Sequence, residues 1–163
     1  TSAFILQKIK CQSTYIMHPN IYYRTIEIMG VKRGNLLEPS MGIGNFFGAI
    51  PGNLSNSFKL YGVEIDPITA EIAKLLYPNS DIRIQGFENT TFPDNFFDVA
   101  IGNVPFGDYK VYDKNNKFPD YVTDKIHNYF FAKAIEKVKL GGIIAFITST
   151  GTLYAAYRLP MRN

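Results

Sequence analysis

Two hydrophobic patterns alternate along this chain: apolar stripes with a period of about 3.6 residues, and short continuous apolar runs. The stripe Ile21, Tyr22, Thr25, Ile26 and Met29 predicts a helix over 18–29, stopped by Gly30. Residues 35–38 form a short apolar run, followed by a glycine-rich turn and a short helix over 45–50 that Pro51-Gly52 ends. A second run covers 59–65. A helix over 67–76 follows, with Pro67 in its first turn, where a missing N–H costs nothing, and Tyr77-Pro78-Asn79 as its stop. Residues 82–84 and 97–102 read as the third and fourth strands. The longest stripe, with Ile126, Tyr129, Phe130, Ala134, Ile135 and Val138, predicts one helix over 123–139. Gly141-Gly142 then turns the chain into a fifth strand over 143–148. Strands alternating with helices imply right-handed parallel β-α-β units. The expected fold class is therefore α/β, a doubly wound, mostly parallel sheet.

Composition narrows the classes without choosing among them. The 163 residues, 46% hydrophobic and 19% charged, suit one soluble domain with a sizeable core. We expect a single unit over 1–163: an amino-terminal helical segment (1–30), the core sheet (31–150) and an irregular or truncated tail (151–163). No run approaches the ~20 apolar residues of a membrane span, and Thr1 to Leu6 is too short for a secretory signal. The single cysteine, Cys11, excludes an internal disulfide or a Cys-rich metal site. The expectation is a cytoplasmic protein with no metal and no membrane contact. The first residue is not Met, which suggests a piece of something longer. A net charge of +3 is compatible with nucleic acid without arguing for it.

Candidate chemistry sits at the carboxyl ends of the predicted strands, where doubly wound sheets bind ligands. The first strand ends in Glu38-Pro39-Ser40-Met41-Gly42-Ile43-Gly44-Asn45-Phe46, whose Gly42 and Gly44 allow close backbone approach to a ligand. The second ends in Gly62-Val63-Glu64-Ile65-Asp66, with Glu64 twenty residues beyond Gly44. An acid at that interval suits a grip on ribose hydroxyls. A dinucleotide fingerprint would place a third glycine where Phe47 stands, and Glu38 would repel a pyrophosphate. The same acid suits a cationic ligand, so S-adenosylmethionine, with its sulfonium and ammonium groups, is the favoured cofactor. The fourth strand ends in Asn103-Val104-Pro105-Phe106. The Asn103 side-chain oxygen and the carbonyl of Val104 or Pro105 can both accept from one planar amine. Pro105 fixes the backbone and has no competing N–H, and Phe106 offers a face for stacking.

These segments, with Leu140-Gly141-Gly142-Ile143 after them, occur in an order that resembles the catalytic domain of DNA adenine-N6 methyltransferases. Their Asn-Pro-Pro-Tyr/Phe signature is matched with Val104 in place of the first proline. The likeness is nearest to the branch associated with helicase-like proteins of mobile elements. It implies a Rossmann-like S-adenosylmethionine-dependent methyltransferase fold acting on N6 of adenine in DNA, in restriction-modification or a mobile element. Asn103, Val104, Pro105 and Phe106 would form the catalytic clamp on a flipped adenine. Glu38, Pro39, Ser40, Gly42, Gly44, Glu64, Ile65, Phe87, Glu88 and Asn103 would hold the donor. Of the Phe87-Glu88 pair, one would cover the donor's adenine and the other reach its amino group, or Phe87 is simply core. The amino-terminal Thr14 to Ile28 resembles the segment that closes over the donor's methionine, with the usual Tyr-Thr-Pro blurred to Thr14-Tyr15-Ile16-Met17-His18-Pro19. His18 and His127 are read as surface or helix-face residues. The stretch 107–120 interleaves three lysines with aromatics and three aspartates, and reads equally as a strand-contacting loop or a solvated one.

The tail, Tyr154 to Pro160, looks like the family's sixth strand, yet the link to it is shorter than a parallel crossover requires. The expectation is a domain lacking its last strands and its target-reading module, which a helicase-like or specificity domain on the same or another chain would supply. Two other functions stand beside this one. Methylases of protein glutamine or of RNA act on comparable planar amines. A silent remnant would only bind cofactor or partner.

Overall fold

The computed structural model describes residues 4–5, 20–114 and 117–147. In chain order the elements are β1 (Phe4–Ile5), α1 (Asn20–Ile28), β2 (Gly34–Glu38), α2 (Asn45–Gly48), β3 (Phe58–Glu64), α3 (Pro67–Leu76), β4 (Asp81–Ile84), a 3-10 turn (Phe87–Asn89), β5 (Phe97–Asn103), α4 (Asp120–Thr123), α5 (Ile126–Lys137) and β6 (Val138–Ile147). All six strands join one sheet in the order β1-β6-β5-β2-β3-β4, and every pairing is parallel. This is the expected doubly wound α/β sheet.

The strand residues alternate between the two faces, and each face carries its own core. Leu36 packs with Tyr22, Tyr23 and Ile26 of α1, with Phe46 and Phe47 of α2, and with Ala73 of α3. Leu37, the next residue, belongs to the opposite cluster, with Val63, Phe97, Val104 and the α5 residues Tyr129, Phe130 and Ala134. Burial on both faces explains why the strands read as continuous apolar runs rather than alternating ones. At α3, Asp66 accepts the Thr69 N–H at 2.9 Å and Pro67 occupies the first turn, so this helix begins where the sequence places it.

Three expectations change. The helix expected over 123–139 is two, α4 and α5, because Lys125 between them is extended (φ −130°, ψ 123°). The fifth strand starts five residues early, at Val138, which pairs with Phe97. Between Phe97 and Val99 the partner jumps from Val138 to Ile143, so the glycine pair is a bulge within β6 rather than a turn before it. Gly142 fits because a Cβ there would sit 2.9 Å from the Asp98 carbonyl oxygen. The third change is β1, which pairs beside β6 through Ile143 and Ile144. The expectations for Cys11, for 14–19 and for the tail after Ile147 lie outside the described residues.

Candidate functional site

The chain reverses its direction of travel across the sheet between β2 and β5. From β2 it runs through α2 to β3 on one side, and from β5 through α5 to β6 on the other. The connections leaving the two tips diverge, which makes a crevice at their carboxyl ends.

One wall is the glycine turn after β2. The Met41 N–H donates to the Val63 carbonyl at 3.0 Å, and the Gly44 N–H to the Met41 carbonyl at 2.8 Å. Gly42 has φ +56°, and a Cβ there would meet nothing within 4 Å. Its N–H donates to Glu64 Oε2 at 2.8 Å, while Glu64 Oε1 accepts the Asp66 N–H at 2.9 Å. The Glu64 carboxylate thus ties the tip of β3 to the turn. Gly44 has a structural part as well. It caps α2 in the left-handed region (φ +86°), and a Cβ on it would lie 2.4 Å from the Tyr77 ring. The Tyr77 hydroxyl donates to the Gly44 carbonyl at 2.8 Å. Tyr77→Phe should therefore lower stability by about 1 kcal/mol and loosen the turn. Denaturant melts would read this, and an unchanged midpoint would refute it.

Glu38, at the end of β2, is buried beneath this turn. Only 2% of it is exposed, and its Oε2 has no hydrogen-bond partner among the described residues. Burial pushes its carboxyl well above the usual range; the N–H groups of Phe46 and Phe47 oppose the shift, and Glu64 adds to it. The buried Tyr23 hydroxyl donates to the Phe46 carbonyl at 2.8 Å and fixes the same peptide from the other side. A buried carboxylate oxygen with no partner, beside a second carboxylate and an open glycine, fits a cationic ligand that carries hydroxyl groups.

The facing wall is the end of β5. A Cβ on Gly102 would lie 3.5 Å from Glu38 Cγ and 3.6 Å from Pro39 Cδ, so the two tips touch there. Asn103, the last residue of β5, is exposed, Val104 is buried in the core, and Pro105 is half-buried. Phe106 is 57% exposed. Ser40 is half-buried, Pro39 buried and Ile65 exposed. The structure thus places Glu38, Pro39, Gly42, Glu64, Gly102 and Asn103 at the neighbouring carboxyl ends of β2, β3 and β5.

Phe87 stands apart from them. It is buried in the core with its ring 5.2 Å from that of Phe130. Glu88 is half-buried and folds over Gly86, where a Cβ would meet its carboxylate. Lys133 of α5 holds this turn from beneath, donating to the Glu88 carbonyl at 3.0 Å and the Thr90 carbonyl at 3.3 Å. Burial brings its ammonium down to about 8. His127 lies on α5, as the helix-face reading has it, but buried rather than at the surface; desolvation, followed by the charge of Lys125, lowers its pKa. No three His, Cys, Asp or Glu among the described residues could hold a metal ion. Sequence reasoning missed Tyr23, Tyr77 and Lys133. Their contacts join residues far apart in the chain, and no local period marks them.

The family description N-6 DNA Methylase matches residues 16–158. The chain belongs to the N-6 DNA methylase family. It is 30% identical over 128 residues to the Defense against restriction protein B of Escherichia phage P1, covering 77% of this chain and 5% of that protein. It is 29% identical over 106 residues to the type I restriction enzyme MjaIX methylase subunit of Methanocaldococcus jannaschii, covering 58% and 19%. The chain therefore spans a fifth or less of these relatives. Among solved structures it resembles an S-adenosylmethionine-dependent O-methyltransferase of Thermotoga maritima (TM-score 0.62, 16% identity, 91% of this chain and 50% of that one). It also resembles a Vibrio vulnificus protein assigned as a type I restriction modification subunit (TM-score 0.58, 18% identity, 78% and 33%). At those identities the likeness shows the fold, the Rossmann-like fold of these methyltransferases.

Proposed function

We propose that this N-6 DNA methylase chain is the catalytic part of an enzyme that transfers a methyl group from S-adenosylmethionine to N6 of adenine in DNA. The observation that carries the reading is the exposed Asn103 at the tip of β5, across the crevice from the buried, unpartnered Glu38 carboxylate. When bound, S-adenosylmethionine supplies a methyl group made electrophilic by its sulfonium. Glu38 would face the positive end of the donor, Glu64 would turn its remaining lone pairs to the ribose, and the open side of Gly42 would admit the ligand. Asn103 Oδ1 and the carbonyl of Val104 or Pro105 accept hydrogen bonds from the two N–H groups of the target amine, which draws electron density onto N6. As N6 gains the methyl group and the sulfonium becomes a neutral thioether, the amine gives up one proton to water. Phe106 stacks on the adenine once it has left the duplex. Holding the amine in line with the methyl group does much of the remaining work. The reaction belongs in the cytoplasm, and a specificity or helicase-like unit, on the same or another polypeptide, reads the DNA site.

Calorimetry with S-adenosylmethionine, followed by labelled-methyl transfer to DNA, RNA and release factor, tests this. Saturable donor binding that Glu64→Ala weakens, with label in DNA adenine, supports the proposal. Label in protein or RNA moves the chain to another substrate, and absence of donor binding defeats the enzyme reading altogether.

A further inference from the structure

Beyond Phe106 the chain presents more aromatic surface than one target base requires. Tyr109 is 70% exposed, Tyr112 81% and Tyr121 61%. All three lie on the loop after Phe106 or on α4, to which that loop is bonded. One of the rings has a fixed place. Gly107 has φ +151°, and a Cβ on it would lie 2.6 Å from Cε2 of Tyr109. The Tyr109 ring therefore rests on the backbone of the residue that follows Phe106, in space that any side chain at 107 would take.

The loop beneath this ring is fastened to α4 and α5. Lys125 pairs with Asp108 at 3.1 Å, and Lys110 with Asp120 at 3.2 Å and Asp124 at 3.4 Å. The Val111 N–H donates to the Thr123 carbonyl at 2.8 Å, and the buried Tyr129 hydroxyl donates to Asp113 at 2.7 Å. These pairs also occupy Lys110 and Lys125, as does Lys117 with Glu136, while Lys114 is exposed. The three lysines and three aspartates of 107–120 cancel in net charge, so this surface presents ring faces rather than a strong field that gathers phosphates.

We propose, building on the methyltransferase reading, that Tyr109 is a second stacking ring beside Phe106. It receives the nucleobase next to the target adenine, in a strand that is locally unpaired. Phe106 takes the flipped base, Tyr109 stacks the neighbour it leaves behind, and Gly107 sets the distance between them.

The test measures binding of a labelled single-stranded, adenine-containing oligonucleotide to the full chain by fluorescence anisotropy, with S-adenosylmethionine present. Tyr109→Ala should weaken binding about 5- to 150-fold, the range for loss of one stacked base. The factor should be the same at about 50 and about 200 mM salt, since stacking releases no counterions. Tyr109→Phe should bind like the parent. Gly107→Ala, which displaces the ring without removing it, should weaken binding in the same sense, with thermal melts confirming that each variant is folded. Unchanged affinity in Tyr109→Ala, an equal loss in Tyr109→Phe, or a loss that scales with salt each overturns the assignment. Donor binding, followed separately by calorimetry, decides the methyltransferase reading, so failure of one is distinguishable from failure of the other.

Discussion

Asn103→Ala is expected to reduce methyl transfer by about 10²- to 10³-fold while changing donor affinity only about two- to three-fold, the pattern for loss of a preorganised polar contact made in the transition state. The side chain is exposed at the end of β5, so its removal leaves no core cavity. Val104, its neighbour, is the residue that anchors this turn in the core. The amine of adenine is a poor nucleophile because its lone pair is shared with the ring. On the proposed mechanism Asn103 would help by accepting a hydrogen bond from the amine N–H as the nitrogen becomes tetrahedral. Asn103→Asp keeps an acceptor but adds a charge, and should retain more activity than alanine. Single-turnover transfer measured beside calorimetric donor binding separates the two effects. Equal losses in kcat and donor affinity would mean that Asn103 serves only to hold the donor.

The succession of strands from β2 to β6 and their carboxyl ends was legible because burial on both faces leaves apolar runs, and because Pro67 and Gly30 punctuate the helices. The runs 35–38 and 59–65 fall within one residue of β2 and β3. Boundaries failed where local and tertiary signals disagree. Val138 continues the stripe of α5, yet it pairs with Phe97 as a strand, and the price of that choice is the bulge at Gly141-Gly142. The roles of the glycines were only half legible. A sequence shows that a residue lacks a Cβ but not what fills the space. At Gly42 that space is open, whereas at Gly44 and Gly62 it is filled by Tyr77 and Met41. Phe87 poses the same problem in reverse, since an aromatic next to an acid reads alike whether its ring meets a ligand or Phe130.

Glu38→Gln should separate stability from binding. Burial raises the folded-state pKa of Glu38 well above the ordinary 4.5. The folded protein therefore binds a proton that the unfolded chain releases, and the stability this group contributes is complete below about pH 4.5 and is lost as pH rises through the raised value. A cation beside Oε2 reverses the preference, because it favours the ionised carboxylate. Donor binding should then release a proton, and affinity should improve with pH until Glu38 is ionised in the free protein. The glutamine keeps the shape and the acceptor for the Phe46 and Phe47 N–H groups but cannot ionise. The variant should melt higher than the parent at neutral pH without donor, and bind S-adenosylmethionine about 30-fold more weakly or worse, the usual loss when one partner of a buried charge pair is removed. Its affinity should also lose the pH dependence. Calorimetry in buffers of different ionisation enthalpy counts the released proton directly. A parent that takes up no heat of buffer ionisation, together with a variant of unchanged affinity, would place the cationic end of the donor away from β2.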